Sequence, residues 1–221
     1  MSKLFVTKPT LNSRDSFIGL LKDSWETGIL THNGPLVKRY EKELEGKLNI
    51  GRFVSCTNGT VALQMALKQI KQTRSCKKNV IVPAFTWIAS VSAIYAEGFE
   101  PIYCDVSPDD FNIDLHKLES SIKESNDIAA ILPVHVFGQP CNVDGLEKIS
   151  QKYDIPIIYD AAHAVGANFN GKSVLEYGYI SCTSLHATKL INSGEGGGCI
   201  TTDSSVQKDL EEIRFFGHNE N

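Results

Sequence analysis

The fold class of this chain is indicated most clearly by residues 52–70, Arg-Phe-Val-Ser-Cys-Thr-Asn-Gly-Thr-Val-Ala-Leu-Gln-Met-Ala-Leu-Lys-Gln-Ile. Residues 53–57 predict a short buried strand, and apolar residues at helical spacing begin at Val61. Between the two lies a turn, Asn-Gly-Thr, at 58–60. A strand followed at once by a helix is the unit from which parallel α/β sheets are built.

The same alternation extends along the rest of the chain. We predict further strands at 80–83, 101–106, 128–136 and 155–159, in a polar segment from 181, and at 198–202. Helix starts are predicted at Ser13, Pro35, Asp114, Asn142 or Asp144, and Ser204 or Ser205. The first of these helices should end near Gly28. The fold class is therefore α/β, with a mostly parallel sheet sandwiched by helices.

Composition excludes several classes of function. The chain has 221 residues, of which 42% are hydrophobic and 22% charged, with a net charge of −4 and no basic run. A negative net charge without a basic run does not favour nucleic acid or an anionic membrane as a partner. The first residues lack the apolar core of a secretory signal, and no stretch has the roughly 20 apolar residues that span a bilayer. We expect a cytoplasmic protein.

The six cysteines favour the same compartment. They stand at 56, 76, 104, 141, 182 and 199, never as a C-x-x-C pair. Most lie in apolar runs, where reduced cysteine behaves as a small hydrophobic residue. We therefore expect neither a disulfide framework nor a zinc site built from these cysteines.

Candidate functional residues follow the strands, because open α/β sheets bind ligands at the carboxyl ends of their strands. Gly59 and Thr60 open a helix and offer free N–H groups to a phosphate, although an ordinary helix cap explains them as well. Trp87 follows the next strand and is either core packing or a flat platform for a ring.

Asp160 and Lys189 are the two charged candidates. An aspartate at the end of an apolar strand is costly to bury without a cation or several donors. With His163 it could form a proton relay or a metal site, or it could hold a protonated ring nitrogen. Lys189 lies between the hydroxyl residues of 181–184 and the glycines of 194–198, and is either functional or part of a solvated turn.

Fewer interpretations of these residues remain when the candidates from the different strand ends are considered together. A phosphate cradle, a ring platform, a buried carboxylate and a lone lysine are the parts of a pyridoxal 5'-phosphate site. In such a site the lysine forms a Schiff base with the cofactor, and the aspartate keeps the pyridine nitrogen protonated.

The motifs at these positions resemble the DegT/DnrJ/EryC1/StrS family, the sugar aminotransferases of the fold type I pyridoxal-phosphate class. The resemblance covers essentially the whole chain in order. It is carried by Asn58-Gly59-Thr60, Pro83-Ala-Phe-Thr-Trp87, Asp160-Ala-Ala-His-Ala-Val-Gly166, Ser184-Leu-His-Ala-Thr-Lys189 and Gly194-Glu-Gly-Gly197.

The resemblance implies a role for each candidate residue. Lys189 is the catalytic Schiff-base lysine and proton carrier, and Asp160 pairs with the pyridine nitrogen. Trp87 stacks on the ring, and His163 lies against the other face or the ring oxygen. The phosphate is taken by Gly59, Thr60 and Ser184. His186 supports this shell, and the turn at 31–34 lies near the sugar. No metal is implied.

Substrates and partners follow from the resemblance as well. Family members transfer an amino group, usually from glutamate, to a keto group of a nucleotide-linked deoxysugar, and share their sites across a homodimer. His163 is similar to the histidine of members that aminate C4, so we expect a dTDP-4-keto-6-deoxyhexose; a C3-specific enzyme is the alternative. The product would enter cell-surface polysaccharide or glycan biosynthesis, such as that of O-antigen.

Length is the departure from the family. We expect residues 1–30 to pack as an N-terminal segment on a large pyridoxal-phosphate-binding domain at 31–221. The small C-terminal domain of relatives is absent from this sequence. A cofactor-binding remnant without turnover is therefore a second hypothesis. A dehydratase on the same scaffold is disfavoured, because those relatives typically carry histidine in place of Lys189.

Overall fold

The computed structural model describes residues 7–31 and 33–217. Within this part of the chain the helices are α1 (Arg14–Thr27), α2 (Pro35–Leu48), α3 (Gly59–Thr73), α4 (Ile88–Ala96), α5 (Leu115–Glu124), α6 (Val143–Tyr153) and α7 (Ser204–Arg214). The strands are β1 (Arg52–Cys56), β2 (Asn79–Pro83), β3 (Glu100–Cys104), β4 (Ile128–Ile131), β5 (Ile158–Asp160), β6 (Asn168–Phe169), β7 (Lys172–Ser173), β8 (Ile180–Ser184) and β9 (Gly197–Thr201).

Seven strands form one continuous layer. β3, β2 and β4 pair in that order, as do β5, β8, β9 and β1. Two parallel bridges, Ile131 to Ile157 and Val134 to Asp160, join β4 to β5. β9 runs antiparallel to both of its neighbours, β1 and β8, whereas the other strand pairs of this layer are parallel. The prediction of a mostly parallel sheet is confirmed, while β6 and β7 form a separate small hairpin that the sequence pattern did not indicate.

Helices cover both faces of the sheet, because side chains alternate between the faces along each strand. Val80 and Val82 pack in one hydrophobic cluster with residues of α3, α4 and α7. Ile81, between them, packs in a second cluster with residues of α5 and α6. A third cluster lies under α2 around Phe53. This arrangement confirms the predicted sandwich.

Polar side chains begin most helices where the sequence predicted. The side chains of Ser13, Asp114 and Asn142 cap α1, α5 and α6 by accepting backbone N–H bonds. The last helix begins at Ser204, as predicted. Its cap is Asp203, whose carboxylate accepts from the N–H groups of Ser205 and Val206, so the two serines lie inside the first turn.

The predicted strand at 128–136 is wrong beyond Ile131. Pro133 has no N–H to donate to a ladder, and Val134 pairs only through its single bridge. The chain then closes a 3-10 turn at Val136–Gly138, in which Phe137 has a φ of 54°. The strand predicted at 155–159 is likewise shorter, since β5 begins at Ile158.

The N-terminal segment keeps much of its apolar surface exposed. In α1 only Ser24 is buried, whereas Phe17, Ile18 and Trp25 are 60%, 56% and 74% exposed. Residues 1–6 of this segment and His32 of the 31–34 turn lie outside the described residues. No helix in the described part of the chain is long and apolar enough to cross a membrane.

Candidate active site

A pocket of about 790 Å³ lies where the strands of the central layer end. All seven residues predicted as site residues line it: Gly59, Thr60, Trp87, Asp160, His163, Ser184 and Lys189. They come from four separate strand-to-helix or strand-to-strand connections. Tertiary structure therefore collects into one cavity what the sequence placed at separate strand ends.

Asp160 is a buried acceptor at the end of β5. The residue is only 5% exposed. One carboxylate oxygen, Oδ1, accepts from the N–H of Ala162 at 3.1 Å, and the other, Oδ2, accepts from the hydroxyl of Ser90 at 2.7 Å. These two donors offset part of the cost of burying a charge.

Lys189 lies in the connection between β8 and β9, half-buried at the wall of the pocket. Its backbone N–H donates to the carbonyl of His186 at 2.8 Å and closes a tight turn. Burial lowers the pKa of the Lys189 amine, and the negative charge of Asp160 opposes that shift. A lysine in this setting loses its proton more readily than one in water, which suits a nucleophile.

Trp87 and His163 present rings to the pocket. Trp87 is 75% exposed, so it is not a core residue. His163 is also exposed, although part of its ring is shielded from water. This partial burial lowers the pKa of His163, and the positive charge of Lys189 lowers it further. The negative charge of Asp160 opposes both effects. The geometry therefore favours the platform alternative for Trp87.

The start of α3 provides donors for an anion. Asn58 caps the helix, with its side-chain oxygen accepting from the N–H of Val61 at 2.9 Å. The first backbone bond of the helix runs from Ala62 to Asn58, so the N–H groups of Gly59 and Thr60 precede it. Ser184, only 8% exposed, lies beside Gly59. Capping and anion binding are compatible here, because they use different N–H groups.

The segment that carries Lys189 is a closed hairpin. Backbone bonds from Leu185 to Gly196 and from Ala187 to Gly194, both 2.8 Å, extend the β8–β9 ladder past the strands. His186 accepts the N–H of Thr188 through Nδ1 at 3.2 Å, so the proton of the neutral ring is on Nε2. Nε2 lies 3.5 Å from a carboxylate oxygen of Glu195. His186 thus supports the Lys189 turn.

Sequence reasoning missed Ser90 and Glu195. Ser90 is wholly buried in the apolar helix α4, where a hydroxyl requires a partner, but its burial is visible only in the structure. Glu195 was visible only as part of a glycine-rich motif. The metal-site alternative for Asp160 and His163 gains no support, since the described residues contain no group of three or more side chains arranged to hold a metal ion.

Comparison with known proteins identifies the family. The sequence profile of the DegT/DnrJ/EryC1/StrS aminotransferase family matches residues 12–221. The chain belongs to this family. Its members and the fold type I enzymes of similar structure depend on pyridoxal phosphate.

Individual relatives of this aminotransferase-family chain are nucleotide-sugar enzymes by name. A dTDP-4-amino-4,6-dideoxy-D-glucose transaminase of Shigella dysenteriae is 34% identical over 215 residues, 97% of this chain and 57% of that protein. A UDP-2-acetamido-2-deoxy-3-oxo-D-glucuronate aminotransferase of Pseudomonas aeruginosa is 32% identical over 207 residues, 90% of this chain and 56% of that protein.

A solved structure shows the same fold. DesI, crystallised in the presence of its TDP-sugar product, superposes with a TM-score of 0.89 at 27% identity and covers 98% of this chain. This chain corresponds to 54% of DesI. It therefore spans a little over half the length of the relatives that it matches.

The residues of the pocket fit pyridoxal 5'-phosphate. A buried carboxylate and a half-buried amine of lowered pKa line the same cavity. The same cavity holds an exposed tryptophan ring and the uncommitted N–H groups of a helix start. These groups match, in order, a ring nitrogen, an aldehyde, an aromatic ring and a phosphate.

Proposed function

We propose that this chain forms the cofactor-binding part of an aminotransferase that moves an amino group from glutamate to a keto group of a nucleotide-linked deoxysugar. The observation that carries the proposal is that Lys189 and Asp160 line one pocket, in which the negative charge of Asp160 acts on the Lys189 amine. Family membership supports the same reaction class. The proposal concerns the whole enzyme, because the chain spans a little over half the length of its relatives.

Each residue of the pocket has a proposed task. Pyridoxal 5'-phosphate, when bound, supplies an electron sink for the carbon that gains or loses the amino group. Lys189 would hold the cofactor covalently and carry a proton to and from that carbon. Asp160 would pair with the ring nitrogen. Trp87 would stack on the ring, with His163 on the other face or near the ring oxygen. The phosphate would be bound by Gly59, Thr60 and Ser184.

The lowered pKa of Lys189 supports its double task. A neutral amine can attack a carbonyl or accept a proton, whereas an ammonium can do neither. Burial makes the neutral form more accessible at physiological pH. The negative charge of Asp160 acts against this shift and favours the protonated amine, but burial is the larger effect.

For the substrate we propose the C4 keto group of a dTDP-4-keto-6-deoxyhexose. His163 lines the pocket at the position where the sequence resembles C4-specific members. The name of the Shigella relative also refers to a 4-amino sugar, while that of the Pseudomonas relative refers to a 3-oxo sugar. Both substrate classes are therefore needed in the test.

The experiment is a substrate comparison. The protein is loaded with pyridoxal 5'-phosphate and glutamate, then supplied with a dTDP-4-keto-6-deoxyhexose or with a 3-keto nucleotide sugar. We expect the amino sugar only from the first. Turnover of the 3-keto sugar alone would overturn the C4 assignment but not the aminotransferase. The remnant hypothesis predicts a visible band that borohydride abolishes at Lys189, without any half-reaction with glutamate.

We also propose a cytoplasmic homodimer that serves cell-surface polysaccharide or glycan biosynthesis, with O-antigen as one example. The six unpaired cysteines suit a reducing compartment. In this proposal residues 1–30 form an N-terminal segment packed on the large domain of residues 31–221. Light scattering of the purified protein tests the dimer, and a mass equal to one chain would contradict it.

A further inference from the structure

Ser90 is bonded directly to the carboxylate of Asp160, although the two residues are 70 positions apart. We infer that Ser90 is a positioning residue that aims Asp160 at the ring nitrogen of the cofactor. This inference rests on the proposed function. Ser90 lies in α4 with no exposed surface, and its hydroxyl donates to Oδ2 of Asp160 at 2.7 Å.

The direction of the bonds follows from proton counting. An ionised carboxylate can only accept, so the single hydroxyl proton of Ser90 is committed to Asp160. The Oγ1 of Thr86 lies 2.8 Å from the Oγ of Ser90, so a bond in this pair takes its proton from Thr86, whose hydroxyl also lies 3.3 Å from the carbonyl of Trp87. Thr86 lines the pocket. A chain of two hydroxyls thus runs from the pocket wall to Asp160, and the O–H of Ser90 is directed at the negative charge.

The remaining bonds orient the carboxylate. Oδ1 of Asp160 accepts the backbone N–H of Ala162 at 3.1 Å. Each oxygen therefore has one protein donor, one from α4 and one from the chain after β5. Two donors from different elements prevent rotation of the carboxylate about its own bond. The lone pairs that remain are available to a group in the pocket, where a ring N–H is the proposed partner.

Loss of the hydroxyl has a specific consequence. A Ser90→Ala variant leaves Oδ2 without its donor, and the carboxylate is then free to turn away from the pocket. The variant should therefore bind a cofactor with a ring nitrogen less tightly, while its affinity for a cofactor without that nitrogen should not change. A merely structural role for Ser90 would affect the two cofactors alike.

The test compares pyridoxal 5'-phosphate with its 1-deaza analogue, in which the ring nitrogen is replaced by CH. Dissociation constants are measured by absorbance and fluorescence titration of the full chain. We expect Ser90→Ala to weaken binding of pyridoxal 5'-phosphate about tenfold, in line with the loss of a hydrogen bond to a charged group. Binding of the analogue should change by less than about twofold, because the phosphate and aldehyde contacts are unchanged.

Two further variants sharpen the comparison. Ser92→Ala removes an exposed hydroxyl from the same helix and should change neither constant. Thr86→Val removes the donor to Ser90 and should weaken binding of pyridoxal 5'-phosphate in the same direction but less. If Ser90→Ala does not fold, Thr86→Val alone is used. It then shows whether the affinity for pyridoxal 5'-phosphate falls while the affinity for the analogue does not.

The outcomes separate this inference from the proposed function. Equal losses for both cofactors, or no loss for either, overturn the positioning role of Ser90. A wild-type chain that binds pyridoxal 5'-phosphate more tightly than the analogue supports the role of Asp160, whatever Ser90 does. If the wild-type chain binds neither molecule, the proposed function fails and the inference fails with it.

Discussion

A Cβ atom placed on Gly59 would lie 2.9 Å from the Cβ of Ser184, closer than carbon atoms pack in proteins. Gly59 begins α3, and Ser184 ends β8. The two predicted phosphate-binding segments are therefore in direct contact, and the glycine is needed for that approach. A glycine before a helix in sequence gives no indication of this neighbour.

Replacing Gly59 with alanine should destabilise the protein and weaken cofactor binding. We expect a loss of about 1–3 kcal/mol in the free energy of unfolding, as for other overpacked positions, measured by urea denaturation. Gly46 in α2 is the control, because it is exposed and no atom lies within 4 Å of its added Cβ. Gly46→Ala should stabilise by about 0.5–1 kcal/mol. Similar effects at both glycines would contradict the contact.

Replacing Lys189 with alanine should abolish transamination and leave the fold intact. The side chain is half-buried in a solvent-connected pocket, so circular dichroism and the melting temperature should change little. Lys68→Ala, at an exposed position of α3, is the control and should retain activity. Wild-type turnover by the Lys189 variant would remove the basis of the proposed function.

The amine of Lys189 should also titrate unusually in the absence of cofactor. Because burial lowers its pKa, it becomes neutral at a pH below the ordinary value of 10.5. Acylation with a trace of acetic anhydride, followed by mass spectrometry across a pH series, should therefore show half-maximal labelling below that value. Labelling that follows the ordinary titration of lysine would contradict the proposed environment.

His135 should make stability depend on pH. It is wholly buried, and burial lowers its pKa from 6.5 to about 4. Between these values the unfolded chain binds a proton that the folded chain does not. The free energy of unfolding should therefore fall as the pH decreases from about 6.5 towards 4, by up to about 3 kcal/mol from this residue. Above pH 6.5 the residue contributes no pH dependence.

A non-titrating substitute isolates this effect. Nδ1 of His135 accepts the N–H of Cys141 at 3.0 Å, and the amide oxygen of asparagine can accept in its place. His135→Asn should flatten the pH profile of urea unfolding between pH 7.5 and 5. His116→Gln, at an exposed position, should leave it unchanged. A wild-type slope in the His135 variant would show that other groups are responsible.

Arg214 and Glu41 should be strongly coupled. They form an ion pair between α7 and α2, with side chains only 17% and 13% exposed, and Glu41 also accepts the N–H of Ser55 at 2.8 Å. Arg214→Met leaves the Glu41 carboxylate without its cation and should cost about 3 kcal/mol of stability.

A double-mutant cycle with Glu41→Gln measures that coupling. The matched control is the exposed pair of Arg39 and Glu43, with side chains 54% and 47% exposed, for which the coupling should be below about 1 kcal/mol. Equal coupling free energies at the two pairs would mean that burial does not strengthen the ion pair of Arg214 and Glu41. Urea denaturation of the wild type and of the six variants supplies all the values.

Much of the fold could be predicted because its signals are local. Ser13, Asp114 and Asn142 begin helices by bonding to N–H groups two or three residues away. The 128–136 strand was misassigned for the opposite reason. Its apolar composition suits a strand, but residues after Ile131 have no neighbouring ladder beyond one bridge.

The candidate site was predicted by residue type and not by geometry. Lysine, aspartate and tryptophan after strands indicated the chemistry. The bond between Ser90 and Asp160 could not be read in the same way, because serine in a helix is usually a solvated residue. Nothing within a few residues of Ser90 in the sequence distinguishes it from the exposed Ser92.

Local signals in the sequence predicted the helices and strands of the central layer in their order and which side chains follow each strand, but not the β6–β7 hairpin. Periodicity, capping and turn chemistry act over a few residues, so they are legible along the chain. Only tertiary structure decided the strand order, the antiparallel direction of β9, the contact of Gly59 with Ser184 and the orientation of Asp160 by Ser90. These features depend on residues far apart in the chain, which meet only when burial of both faces of the sheet brings the strand ends together.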